Sequence, residues 1–131
     1  MTKRFAEKTA VDDFSIEFNK EEFVTFLGPS GCGKSTALNC ITGLIPITSG
    51  EIFIDDECID DSKTRVPPEK REFGMVFQNY ALFPHLTVRE NVAFGLKLRK
   101  LPRAEVDRRV QDALKLVHLE GYASKFPAQM S

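Results

Sequence analysis

The sequence has almost no net charge, no apolar run of membrane-spanning length and no paired-cysteine motif, and each absence removes a class of function. A formal charge of -1 gives no general attraction to nucleic acid or to an anionic membrane. The longest uncharged run, Ser35 to Gly50, is too short for a bilayer and is broken by Gly43 and Pro46. The opening MTKRFAEKTA has charges but no apolar signal-peptide segment behind them, so any membrane association is expected to come through a partner. Cys32, Cys40 and Cys58 form no CxxC pair and are odd in number, which reads as small apolar residues of a reducing compartment. His85 and His118 stand alone, without a metal partner or nucleophile beside them, and read as structural or surface residues. There is no internal repeat and no low-complexity segment. What remains, 131 residues with 42% hydrophobic and 28% charged side chains, suits one globular domain.

The chemistry is concentrated in Phe23 to Thr36, FVTFLGPSGCGKST. The β-prone run Phe23–Leu27 leads into Gly28, a glycine-rich turn follows, and Lys34, Ser35 and Thr36 open a helical pattern. Such a loop turns its backbone N–H groups inward, where side chains would collide with bound oxygens. The first-turn amides of the following helix, and its dipole, favour an anion at the same place. Gly28, Pro29, Ser30, Gly31, Cys32, Gly33, Lys34, Ser35 and Thr36 are therefore expected to cradle phosphates, with Lys34 on the β- and γ-phosphates and the Ser35 hydroxyl on Mg²⁺. A glycine-rich turn that merely caps a helix is the bland alternative.

Around this loop the pattern changes from strand-like to helical. Phe14, Ile16 and Phe18 alternate with polar residues, predicting strands before the loop, with a turn near Asn19 and Lys20. Ala37 to Leu44 continues the helix that Lys34 begins, and Glu51–Ile54 reads as a strand. The acidic cluster Asp55 to Asp61 lacks the glycine and distal glutamate of a calcium loop and reads as a solvated hairpin turn. Phe73–Phe77 is a short apolar run suited to a strand buried on both faces, ending at Gln78. Thr87 with Glu90 forms a capping-box pattern for a helix through Leu98. Pro102 opens another, with Val106, Val110, Ala113, Leu114 and Val117 at helical spacing and Gly121 as its stop. Arg99, Lys100, Arg103, Arg108 and Arg109 are interspersed with Glu105, Asp107 and Asp112, which suggests a solvated helix face and no nucleic-acid partner.

GPSGCGKST at Gly28–Thr36, followed by GMVFQNYALFPHLTVRENVAFGL at Gly74–Leu96, resembles the nucleotide-binding subunits of ATP-binding cassette (ABC) transporters. The likeness is to bacterial importer subunits that energise uptake of polyamines, iron, sugars or phosphonates. It implies an α/β P-loop NTPase of ABC type, represented by its N-terminal half: an antiparallel β subdomain, a partial RecA-like core and a helical subdomain. The division expected is about 1–84 for the strand and loop part, and about 85–131 for the helical part. The likeness further implies ATP and Mg²⁺ as ligands, Gly28–Thr36 as the Walker A loop and Phe5 as the aromatic that stacks on adenine. Gln78 is implied to be the glutamine that reaches Mg²⁺ and the attacking water. Asn79–Thr87, with Tyr80, Leu82 and Phe83, would meet a transmembrane permease; a second ATP-binding subunit would complete a homodimer at the cytoplasmic face of the inner membrane. A non-catalytic nucleotide-binding or interaction module and a soluble ABC ATPase are the alternatives.

Three departures from the family pattern carry expectations. Glu21 stands where a turn glycine is usual and Asp56 where a hairpin glycine is usual, which should cost local turn strain. Phe126–Ser131 resembles the approach to the family's signature motif, with Met130 and Ser131 at its first two positions. The Walker B aspartate, catalytic glutamate, D-loop and switch histidine have no counterpart here. In the family sheet the strands that would separate Phe23–Leu27 from Gly74–Phe77 come from that later sequence. Unpaired backbone on both runs is therefore expected, at about 1–3 kcal/mol for each buried group left unbonded. The chain is expected to be a fragment of a longer protein and unstable alone.

Overall fold

The computed structural model describes residues 1–61, 63–71 and 73–130. They fall into two compact units, Met1–Met75 and Val76–Ser131, and Ser131 itself lies outside the described residues. In the first unit β1 (Lys3–Phe5) and β2 (Lys8–Val11) pair antiparallel, Phe5 opposite Lys8 and Arg4 opposite Thr9. β3 (Ile52–Ile54) and β4 (Glu57–Asp60) form a second antiparallel hairpin, Ile54 opposite Glu57. The strained hairpin residue is Asp55, at φ 51°, one position before the Asp56 singled out from the sequence. Glu21 does adopt the left-handed conformation, at φ 65°. Past β4, the Asp61 carboxylate accepts the backbone N–H groups of Lys63 and Thr64, which hold it below the usual carboxylate range.

Between the hairpins lies α1 (Lys34–Ile41). Ala37 and Cys40 form its buried face, and Val11 from β2 and Ile59 from β4 are buried too. Burial pushes the Cys40 thiol up, so it stays protonated and behaves as a small apolar residue.

Three runs expected from the sequence to be strands join no ladder among the described residues. Phe23–Leu27 joins no ladder among the described residues, with Phe23 94% and Leu27 95% exposed. The run 73–77 is likewise outside any strand, and Val76, expected to be buried on both faces, is 86% exposed. The reason is that β-propensity describes side chains that fit a pleated surface, and without a neighbouring strand there is no surface to fit. Phe14–Phe18 is also outside any ladder. Phe14 is held by Met1, its N–H donating to Met1 O at 2.9 Å and its carbonyl accepting from the Met1 amino group at 2.7 Å, and Phe26 meets Phe14 edge-on at 5.7 Å and stacks on Phe18 at 6.2 Å between ring centroids.

In the second unit α2 (Val88–Leu98) starts at the expected capping box. The Thr87 hydroxyl accepts the Glu90 N–H and the Glu90 carboxylate accepts the Thr87 N–H at 2.8 Å. α3 (Arg103–Leu116) packs Val106, Val110 and Leu114 on Ala93 of α2, with Val88, Leu96, Leu101, Leu119 and Ala123 around them. The helix ends at Leu116, not at Gly121. His118 takes the left-handed position at φ 57°, and the Leu119 N–H closes on Leu114 O at 2.8 Å while His118 N–H bonds Lys115 O at 3.1 Å. That is the Schellman stop that glycine usually makes. The charged face of α3 is internally paired: Glu105 accepts from Arg108 at 2.8 Å and Arg109 at 2.6 Å, and Arg108 also reaches Asp112 at 3.2 Å. Among the described residues, no helix is long and apolar enough to cross a membrane.

Candidate functional site: a phosphate loop in a basic cleft

The loop from Gly28 to Gly33 is curled around the Lys34 ammonium. Lys34 Nζ donates to Gly28 O at 2.7 Å and to Pro29 O at 2.8 Å, and lies 3.5 Å from Cys32 Sγ. Its side chain thus closes the loop onto the first turn of α1, and Cys32 N–H closes on Pro29 O at 3.4 Å. Gly33 is the N-cap residue of α1, with φ 99° and no side-chain cap. A Cβ at Gly33 would lie 2.3 Å from Ala10 O, so only glycine lets β2 and the loop approach this closely. The consequence is a helix start whose first-turn N–H groups have no intrahelical acceptor and no capping oxygen.

These amides open onto a cleft of about 500 Å³ lined by Phe5, Lys8, Ala10, Ser30, Gly31 and Gly33–Thr36. Its described lining holds two cations, Lys8 and Lys34, and no carboxylate, which suits a polyanion. The fold thus brings the Phe5 ring, 47% exposed, into the same cleft as Ser30, Gly31, Gly33, Lys34, Ser35 and Thr36. Gly28, Pro29 and Cys32 contribute through their contacts with Lys34. Lys8 and Ala10 were not singled out from the sequence. They face the cleft because hairpin register sets Lys8 opposite Phe5 and alternate residues of a strand share a face. Lys3 Nζ sits 4.8 Å from the Phe5 ring centroid.

Gln78 belongs to the second unit, exposed in the turn that follows the 73–77 run. There Tyr80 and Ala81 take φ 59° and 49°, and the Tyr80 N–H bonds Phe77 O at 2.9 Å. Tyr80 and Leu82 project into solvent, whereas Phe83 packs on Phe94 of α2 with ring centroids 4.4 Å apart.

Comparison with known proteins decides the family. The ABC transporter family profile matches residues 11–131. The chain belongs to the ABC transporter family. The spermidine/putrescine import ATP-binding protein PotA of Pasteurella multocida is 50% identical over all 131 residues, which make up 34% of that protein. The oligosaccharides import ATP-binding protein MsmX of Bacillus subtilis is 47% identical over 95% of the chain. The Fe(3+) ions import ATP-binding protein FbpC of Photobacterium profundum is 50% identical over 98%. The chain spans about a third of the length of these curated relatives. Among solved structures, the dimeric post-hydrolysis state of the ATP-binding cassette MJ0796 bound to ADP and Pi superposes with a TM-score of 0.80 at 33% identity. That match covers 99% of this chain and 60% of the other. The α/β architecture of this ABC chain is accordingly that of part of an ABC ATPase.

Proposed function

We propose that the chain is the nucleotide-gripping part of an ATP-binding subunit that powers solute uptake. The observation that carries this reading is the uncapped start of α1, set with Lys34 in a basic cleft that also holds an aromatic ring. A triphosphate fits what the cleft offers. First-turn amides and the Gly31 and Gly33 backbone receive its oxygens. Lys34 exchanges a loop carbonyl for the β- and γ-phosphates. Phe5 stacks on adenine. Gly28, Pro29, Ser30, Cys32 and Thr36 complete the loop.

Ser35 offers one exposed hydroxyl beside the phosphate position, which fits Mg²⁺, an ion that takes one or two protein oxygens and otherwise water and phosphate. Mg²⁺ held there would supply neutralisation of phosphate charge. Gln78 is assigned, on the family resemblance, to hold the attacking water and to serve the metal. Hydrolysis by the whole protein would be phosphoryl transfer to that water.

By motif, residues to about 84 are assigned to the strand and loop part of the domain and those from about 85 to the helical part, a division nine residues later than the one between the compact units at Met75 and Val76. The partners are a membrane permease, met by Asn79–Thr87 through Tyr80 and Leu82, and a second ATP-binding subunit. The protein then sits peripherally on the cytoplasmic face of the inner membrane. The relatives named for spermidine/putrescine, oligosaccharides and Fe(3+) ions are 47–50% identical to this chain, so the cargo is set by the permease side.

Titration with ATP and Mg²⁺ tests the reading. The unsubstituted chain binds, and Lys34→Ala abolishes binding. Equal affinity in the two would refute the site. Binding without phosphate release by the full-length protein would make it a nucleotide-binding module and not an ATPase.

A further inference from the structure

We propose that Arg71, held by Asp60, is a positioning residue for the phosphate loop and acts through the far end of α1. The inference rests on the reading that Gly28–Thr36 holds a triphosphate, and adds a control point on the other end of the helix.

Among the described residues of the first unit Arg71 is the largest fully buried side chain, with 0% side-chain exposure against 2% for Asp60. Nη2 donates to Asp60 Oδ2 at 2.5 Å, Nη1 to Cys40 O at 3.1 Å and Ile41 O at 3.0 Å, and Nε to Val66 O at 2.7 Å. One planar fork thus joins β4, the segment after it and the last carbonyls of α1. The last carbonyls of a helix have no intrahelical donor, and a cation is the favoured neighbour there. The chain makes room for the fork at Gly43, which has φ 80°; a Cβ there would lie 2.5 Å from Arg71 Nε and 2.7 Å from Cζ. Lysine would bring the charge but a single donor point, and could not span the same acceptors.

The effect on the loop is mechanical, not a long-range field. Arg71 and Asp60 neutralise each other, and α1 places its two ends roughly 12 Å apart at 1.5 Å per residue. A rigid helix of that length, released at one end and tilted by about 10° about its midpoint, moves its other end about 1 Å. Misplacement by about 1 Å is enough to cost two orders of magnitude where geometry matters. Lys34, Ser35 and Thr36 are the residues at the moving end.

The test is the Kd for ATP of the unsubstituted protein and of Arg71→Lys, Arg71→Met and Asp60→Asn, each measured well below its own Tm. There the folded fraction is close to one, so lost stability alone leaves Kd unchanged. The expected order is unsubstituted tightest, Arg71→Lys intermediate and Arg71→Met weakest, by about tenfold or more. If Arg71→Met does not fold, Asp60→Asn and Arg71→Lys carry the same comparison. Folded variants that bind ATP as the unsubstituted protein does, whatever their Tm, overturn the proposal and leave Arg71 purely structural. Failure of the unsubstituted protein to bind ATP instead overturns the site reading, and this inference with it.

Discussion

The Asn91 carboxamide brackets the backbone of Phe83 eight residues earlier, its Oδ1 accepting the Phe83 N–H at 2.9 Å and its Nδ2 donating to Phe83 O at 3.1 Å. The same Nδ2 lies 3.0 Å from Leu86 O and from Thr87 O. One side chain on α2 therefore does for the 83–87 segment what a second strand would do in a sheet. Tyr80 and Leu82, the residues proposed to meet a permease, are displayed from the loop that this staple anchors.

Asn91→Ala is expected to destabilise the chain by about 0.5–1.5 kcal/mol, because it removes hydrogen bonds to backbone groups that water then has to satisfy. Asn91→Asp keeps the acceptor for Phe83 N–H but faces a carboxylate to the carbonyls, and is expected to be at least as damaging. Amide hydrogen exchange checks both: protection at Phe83 should fall in each, while that of α3 holds.

Acid should weaken the helical unit through identifiable carboxylates. Arg108 and Arg109 beside Glu105 hold its carboxyl down to about 2 from an ordinary 4.5, and the Thr87 backbone and hydroxyl depress Glu90 in the same direction. A group whose folded pKa is depressed stabilises above its unfolded pKa, and that contribution is lost as pH falls through the folded value. Tm should therefore decline between pH 4.5 and about 2. Glu105→Gln should flatten part of that decline, and an unchanged acid limb would contradict the assignment. Both groups are only partly buried and open to solvent screening, so each effect is small.

Phe23 and Leu27, 94% and 95% exposed, give the 131-residue chain an apolar surface that its own described residues do not cover. Phe23→Lys with Leu27→Glu is expected to change stability by no more than about 0.5 kcal/mol, as for other exposed sites, and to reduce self-association. Sedimentation velocity and thermal melts measure the two effects. A loss of several kcal/mol would mean that these side chains are packed.

What the sequence discloses and what it hides follow from the range of the interactions. The loop and α1 are legible because the glycines, Lys34 and Ser35 act within a few residues of one another. The Thr87–Glu90 box is legible for the same reason. The fate of Phe23–Leu27 and of 73–77 is not, since a strand exists only with a neighbour and the neighbour's identity is non-local. Arg71 draws on partners up to 31 residues away, and nothing in its local pattern sets it apart from the solvated arginines of α3. Lys8 entered the cleft through hairpin register, and the end of α3 moved to His118 because a histidine took a conformation usually left to glycine.

The central claim is that the main-chain amides at the start of α1 grip a triphosphate. Backbone amide NMR during titration with ATP and Mg²⁺ tests it most directly. Saturable shifts concentrated at Gly31–Thr36, with smaller ones at Phe5 and Lys8, are the expected result. Unmoved Gly31–Thr36 amides at saturating nucleotide, in a folded chain, would contradict it.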